Sequence, residues 1–270
     1  VKEYHSQQRS DSPRAGGGAS GSARRQAAAA RKPFAVFDID GTLIRWQLYH
    51  AIADNLVKLG YIAPVKFQAI KDARMVWKRR ESSESFKDYE LELVKLYTNL
   101  LSEITVEQFG KTAEAVFDEY RDQVYIYTRG LLQKLKKDGY LLFAISGSQK
   151  EIISKLASYY DFDDYVARED EYNGNKFTGK STTPIFNKDA VLQNLAKKHA
   201  VGFEKSIAVG DSATDIKMLQ LVKNPIAFNP EKRLYEQAKK QGWKIVIERK
   251  NVIYELKQDN GKYQLVKTKS

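Results

Sequence analysis

Phe34-Ala35-Val36-Phe37-Asp38-Ile39-Asp40-Gly41-Thr42-Leu43 sets an unbroken apolar run directly before two carboxylates and a Gly-Thr turn. The run reads as a strand buried on both faces, the kind found in a parallel sheet covered by helices. Such a strand does not ordinarily end by pushing two acids into one place. Each carboxylate disfavours the other's ionisation unless a cation or a shared proton offsets it. Asp38 and Asp40 therefore ask for a metal ion, a catalytic role, or both. Taken alone, Asp-x-Asp-Gly is equally an ordinary capping turn, because Asp suits helix N-caps and Gly suits turns.

Downstream the apolar spacing changes. From about Trp46 to Arg121 it is helical, with Leu48, Ile52, Leu56 and Leu59, and again Leu91, Val94, Leu100 and Leu101, recurring at three and four residues. Gly60 is expected to end the first of these helices. After Gly130, helices and strands alternate. Leu131–Lys137 is expected as helix, Tyr140–Ile145 as strand, Lys150–Tyr160 as helix and Tyr165–Arg168 as a short strand. Tyr172-Asn173-Gly174 opens a hairpin. Asp189–His199, Ser206–Val209, Thr214–Val222 and Pro225–Phe228 continue the alternation, and a last hairpin spans Val252–Leu256 and Tyr263–Val266. The pattern predicts an α/β fold: a Rossmann-like, doubly wound, mostly parallel sheet with a small helical domain inserted after the first strand. The expected division is a basic disordered leader over 1–32, a core over 33–45 and 129–250, a helical cap over 46–128, and a terminal β-hairpin over 251–270.

Sheets of this kind bind ligands at the carboxyl ends of their strands. Two further signals follow core strands, Ser146-Gly147-Ser148 and Gly210-Asp211-Ser212-Ala213-Thr214-Asp215, and Lys188 precedes the helix expected from Asp189. If the strands are parallel neighbours, Asp38, Asp40, Ser146, Asp211 and Asp215 meet in one crevice that Lys188 reaches. Each signal has a plain alternative, such as a strand-to-helix turn, a solvated lysine or an N-cap acid. Their joint occurrence, each after its own strand, weighs against all of those at once. Carboxylates in that number suit Mg²⁺, and a hydroxyl, an ammonium and helix-start N–H groups suit a phosphate. A carboxylate nucleophile with both gives phosphoryl transfer.

From Phe34 to Val246 the chain resembles the haloacid dehalogenase superfamily of phosphohydrolases, in the branch similar to phosphoserine phosphatase with a helical cap. The family's four motifs stand here as Asp38–Leu43, Ile145–Ser148, Lys188 and Gly210–Asp215. The resemblance implies that Asp38 is the nucleophile and Asp40 the general acid and then base. It implies Mg²⁺ held by Asp38, the Asp40 carbonyl and Asp211, with Asp215 joining that shell or orienting it. Ser146, Gly147, Thr42 and Lys188 would bind the phosphoryl group. Lys180 is a weaker rival for the lysine.

Phosphoserine phosphatases of this branch carry a Glu nine residues past the nucleophile, where this chain has Gln47, and an Arg shortly after a Phe in the cap. The comparable stretch here, Ser85–Leu93, holds no Arg. A site that has lost both charges discriminates poorly for a zwitterion. The cap side offers Arg45, Trp46, Gln47 and Tyr49 as selecting residues, with a basic run at Lys78–Arg80. A small phosphorylated metabolite is the expected substrate. The other readings are a macromolecular phosphatase, a phosphotransferase to an alcohol, and a binding module on the same fold.

Composition narrows the rest. Cysteine is absent, which excludes disulfides and thiolate metal sites and agrees with a cytoplasmic setting. With three His, a histidine-rich zinc site is not expected, so a metal should be a hard cation on oxygen ligands. No apolar run has membrane-spanning length. The net charge is +11, of which +5 falls in residues 1–33. Nucleic acid is thus expected to make at most weak, salt-sensitive contact through the leader. Val1 at the start suggests a fragment or a processed product.

Overall fold

A strand whose residues are all apolar must bury both faces, and β1 (Phe34–Phe37) does so: all four side chains have zero exposure. In this computed structural model, which describes residues 31–79 and 85–269, Ala35 and Phe37 point into one hydrophobic layer and Phe34 and Val36 into another. The side-chain period of two in a strand divides them in this way. The expected leader, up to residue 30, and Arg80 of the basic run lie outside the described residues.

Four helices follow β1: α1 (Leu48–Lys58), α2 (Gln68–Arg79), α3 (Ser85–Leu101) and α4 (Val106–Tyr120). Gly60 follows the end of α1 at φ +75°, a left-handed conformation that glycine adopts without strain. Ala53 of α1, Ile70 of α2, Tyr89 and Leu93 of α3, and Phe67 between α1 and α2 form a small core of their own. At α4, Thr105 and Gln108 exchange hydrogen bonds in a capping box. The chain then returns to the sheet through α5 (Ile126–Lys137), β2 (Leu141–Gln149), α6 (Lys150–Tyr159), β3 (Asp164–Asn173) and β4 (Lys176–Thr182). It finishes with α7 (Lys188–Lys198), β5 (Ile207–Gly210), α8 (Ile216–Leu221), β6 (Asn224–Phe228), α9 (Lys232–Gln241), β7 (Lys244–Arg249), β8 (Val252–Asp259) and β9 (Lys262–Lys269).

These strands form one sheet in the order β4-β3-β2-β1-β5-β6-β7-β8-β9. Strands β3 to β7 are parallel through the middle, while β4, β8 and β9 pair antiparallel at the two ends. The observed fold is thus the mostly parallel α/β sheet that the alternation predicts, and the last hairpin extends it. The chain leaves β1 toward β2 on one side and later returns to β5 on the other. The carboxyl end of β1 is therefore the point where strand order reverses, and a ligand crevice belongs there.

Several elements run longer than periodicity suggests. β2 continues through Ser146-Gly147-Ser148 to Gln149, and β3 has 10 residues in place of a short strand. The hairpin at Gly174 supplies β3 with a partner beyond the parallel ladder. α5 begins at Ile126, five residues before the expected Leu131, because its start is capped from a distance. The Glu248 carboxylate of β7 accepts the Ile126 N–H at 3.1 Å and the Tyr127 N–H at 2.9 Å. Among the described residues no helix is long and apolar enough to cross a membrane.

Two buried helix-start donors lose their acceptor in Glu248→Ala. That variant should lose about 1–3 kcal/mol of stability, with Glu248→Gln intermediate. Urea unfolding of the three proteins measures this, and a parent-like midpoint for Glu248→Ala would show that water replaces the cap.

Candidate active site

The ladder hydrogen bonds of β1 persist through Asp38, whose N–H donates to the Val209 carbonyl at 3.0 Å. Past that point the chain turns sharply. The Leu43 and Ile44 N–H groups both donate to the Ile39 carbonyl, and Gly41 takes φ +76°. Any side chain at Gly41 would collide with Asp211, since a Cβ there would stand 2.2 Å from Asp211 Oδ2. The turn brings the first motif against the loop after β5.

Asp38 is 5% exposed and accepts a hydrogen bond from Lys188 Nζ at 2.6 Å. Lys188, the first residue of α7, is 2% exposed and also donates to Asp215 Oδ1 at 2.7 Å. Asp215, fully buried, uses its other oxygen to accept the N–H groups of Asp211 (3.1 Å) and Ser212 (3.0 Å). It thus ties the lysine to the loop that carries Asp211. Gly210 makes room for this, because a Cβ there would lie 2.5 Å from the Asp215 carboxyl carbon.

Asp40 has a different set of partners. Its Oδ1 accepts the Leu48 N–H at 2.6 Å and the Ser148 hydroxyl at 3.0 Å, and its Oδ2 accepts the Ser146 hydroxyl at 2.8 Å. Leu48 opens α1, and Gln47 before it offers no side-chain cap, so Asp40 is the cap of that helix. The capping role and the site role allowed by the sequence fall on the same carboxylate.

Crowding shapes the ionisation of the cluster. Burial raises Asp38 from 3.8 to about 7, with Asp215 and Asp40 adding to the rise and Lys188 opposing it. Burial also raises Asp40, against the three hydrogen bonds it accepts. Asp211 is pushed well above its ordinary value by burial and by the charges of Asp38 and Asp215. Burial alone would lower Lys188, but Asp215 and Asp38 outweigh it and hold the ammonium charged. Four carboxylates thus face one ammonium, which leaves a deficit of positive charge.

Asp38, Asp211 and Asp215 each bring a carboxylate oxygen within 4.8 Å of the others. An all-oxygen set with excess negative charge fits a hard divalent cation such as Mg²⁺. Gly41 keeps the Asp211 side of that set clear of any Cβ.

Other expected residues fall in different places. Thr42 is fully buried with its hydroxyl unpartnered, while its carbonyl accepts from Thr128. Gly147 packs against Ile185, close enough that a Cβ would meet it at 3.2 Å. Gln47 lies over the turn, its Nε2 3.3 Å from where a Gly41 Cβ would stand. Arg45 is exposed over the Tyr125 ring, and Trp46 packs edge-on to His50. Tyr49 stacks on Tyr97. Lys180 is exposed on β4, and no contact joins it to the cluster. Sequence reading missed Ser148, although spacing of two along a strand puts it on the same side as Ser146. It also missed Glu231, whose carboxylate accepts the Ala213 N–H and whose own N–H donates to the Asp211 carbonyl.

Residues 35–220 match the family model described as haloacid dehalogenase-like hydrolase. The chain belongs to that family. Among curated relatives of this haloacid dehalogenase-like hydrolase is a histidinol-phosphatase from Neisseria meningitidis, 24% identical over 80% of this chain and 98% of the relative. The phosphoserine phosphatase of Methanocaldococcus jannaschii is 25% identical over 77% of this chain and 90% of its own length. Phosphoserine phosphatase SerB2 of Mycobacterium tuberculosis is 26% identical over 77% of this chain, which spans 46% of that longer protein. Among solved structures, a protein of unknown function from Bordetella pertussis Tohama I aligns with TM-score 0.65 and 20% identity, over 81% of this chain and 99% of the other. A phospho-aspartyl intermediate analogue of phosphoserine phosphatase aligns with TM-score 0.57 and 22% identity, over 82% and 94%. These structures share the fold.

The raised carboxylates of the haloacid dehalogenase-like site give a stability signature. Between the ordinary carboxylate range and about pH 7, the folded chain without a cation keeps a proton on Asp38 that the unfolded chain has released. Stability must then fall as pH rises through that window, since ionisation favours the unfolded state. With chelator present, the thermal midpoint should decline from about pH 4.5 to 7.5, less steeply in Asp38→Asn. Added Mg²⁺ should restore most of the loss at the upper end. Parallel profiles for parent and variant would show that Asp38 does not carry the effect.

Proposed function

We propose that this haloacid dehalogenase-like hydrolase is a Mg²⁺-dependent phosphatase that hydrolyses a small phosphomonoester through an aspartyl-phosphate on Asp38. One observation carries the reading: two carboxylates two residues apart are placed in different chemical settings. Asp38 is buried against Lys188, while Asp40 is held by two serine hydroxyls and a helix N–H. Environments that divide a carboxylate pair in this way also divide its roles.

An Asp38 oxygen attacks phosphorus as the bond from phosphorus to the leaving oxygen breaks. Asp40, whose burial favours its protonated form, gives that oxygen its proton. In the second half Asp40 takes a proton from water. The resulting hydroxide attacks phosphorus, the bond to Asp38 breaks, and inorganic phosphate leaves. Lys188 and Ser146 hold phosphoryl oxygens, and the Thr42 hydroxyl, buried without a partner, is available as another donor. Mg²⁺, held by the carboxylates of Asp38 and Asp211 and by the Asp40 carbonyl, would neutralise charge on nucleophile and phosphate when bound. Both Asp215 oxygens are engaged, so its first role is to position Lys188 and Asp211.

The relatives' names point to small phosphorylated metabolites, histidinol phosphate and phosphoserine among them. Neutral Gln47 over the Gly41 turn, in place of an acid, argues against phosphoserine as the preferred substrate.

Phosphate release from a panel of phosphomonoesters, with Mg²⁺ and with chelator, tests the reading. Release should require the metal, and Asp38→Asn should lower kcat by about 10³-fold or more. Phosphoserine should not lead the panel. Turnover that survives Asp38→Asn would sink the nucleophile assignment, and phosphoserine in first place would sink the reading of Gln47.

A further inference from the structure

Six buried polar atoms without hydrogen-bond partners gather beside the catalytic cluster: Tyr49 and Tyr97 hydroxyls, both amide atoms of Gln149, Glu151 Oε2 and Asp170 Oδ2. The residues are in mutual reach. The Tyr49 and Tyr97 rings stand 4.5 Å apart, and the Arg168 guanidinium lies over both, at 5.8 and 5.9 Å from their centroids. Arg168 donates twice to Asp170 Oδ1, at 2.9 and 2.7 Å, leaving Oδ2 free. Gln149 faces Arg168 across the β2–β3 ladder, which slips register between Ile145 and Gln149. Glu151 lies two residues beyond, and its charge acts on Tyr97.

So many buried, unsatisfied groups in one place are costly, and they mark a surface built to meet something else. Gln149 has no exposure at all, Tyr97 1% and Asp170 7%. The vacant capacity is mostly for accepting. Carboxylate oxygens on Glu151 and Asp170 and the Gln149 carbonyl accept only, and each tyrosine hydroxyl can accept as well. Arg168 has its charge balanced by Asp170, so Glu151 leaves the cluster net negative. Two aromatic faces complete a setting suited to a cation.

Position decides which part of a substrate would arrive there. Two of the three groups that hold Asp40 are the Ser148 hydroxyl and the Leu48 N–H. Their chain neighbours, Gln149 and Tyr49, belong to the cluster. Asp40 is the residue assigned to the leaving oxygen, so the cluster adjoins the leaving-group side. We propose that Glu151, Asp170 and Gln149, with the Tyr49 and Tyr97 rings, select a leaving group that carries a protonated nitrogen, an alkylammonium or an imidazolium. This rests on the phosphatase reading for its placement, and it puts the reading of the nitrogen away from Gln47.

The test compares 3-aminopropyl phosphate, 2-(imidazol-4-yl)ethyl phosphate and neutral propyl phosphate at about pH 6, where both nitrogens are largely protonated. At least one nitrogen-bearing ester should exceed propyl phosphate about tenfold or more in kcat/KM, and which one leads separates ammonium from imidazolium. Glu151→Gln should bring that ratio below about threefold, and Asp170→Asn serves as the second variant should Glu151→Gln fail to fold. Equal kcat/KM for all three esters, or a ratio unchanged in a folded variant, would overturn the proposal and leave the cluster a water-filled seam. Should no ester be hydrolysed, the phosphatase reading fails by itself. Calorimetric binding of the same esters to Asp38→Asn then decides the pocket: tighter binding of a nitrogen-bearing ester supports it, and equal binding overturns it.

Discussion

Four carboxylates around one ammonium at the carboxyl end of β1 are the constraint to which the neighbouring structure is fitted. Left in a low-dielectric interior, Asp38, Asp40, Asp211 and Asp215 would repel one another and drive protons onto themselves. The fold manages this by giving each a separate set of partners. Lys188 bridges Asp38 and Asp215, Asp215 holds backbone N–H groups of the Asp211 loop, and Asp40 turns toward Ser146, Ser148 and α1. Asp211 is left as the member least provided for, and that imbalance makes the cluster a cation site. The two glycines at closest range, Gly41 and Gly210, remove the Cβ atoms that would force these carboxylates apart.

Around that centre the rigid parts are apolar. β1 is walled on both faces by separate hydrophobic layers, so the strand that delivers Asp38 has little freedom to shift. Removing it from its neighbours would expose buried residues on both faces at once. The positional precision of the nucleophile therefore comes from packing, and its chemical character comes from Lys188 and the nearby acids.

Much of this was legible in the sequence because it rests on short-range signals. An apolar run before Asp-x-Asp-Gly, Ser-Gly-Ser after another run, and Gly-Asp-x₃-Asp after a third each sit at a strand end. Alternation of strand and helix then supplied the parallel sheet that brings the ends together. What escaped were effects of long-range partners. α5 starts early because Glu248, more than a hundred residues away, caps it. β3 runs long because β4 folds back along it. Arg168 and Asp170 look like ordinary charges in an exposed hairpin until Tyr49 and Tyr97 from the helices after β1 close over them. Periodicity carries no information about such partners. Glycines are a partial exception: Gly41 was read as a turn residue, whereas its closest demand is space for Asp211.

Asp40 joins the chemistry to the inserted helices in a way that the motif does not announce. Its carboxylate caps α1, so the first helix after the turn is held by the same group that is assigned to proton transfer. A proton placed on Asp40 weakens an acceptor for the Leu48 N–H, and a restored charge strengthens it, since helix N-termini favour negative charge. The orientation of α1, with Tyr49 in its first turn, is therefore coupled to the protonation state of the acid. Ser148 and Gln149 make the matching connection from the sheet side, one residue holding Asp40 and the next facing the acceptor cluster. Adjacent residues on two elements thus divide the work between proton transfer and recognition, and any movement that improves one must be accommodated by the other.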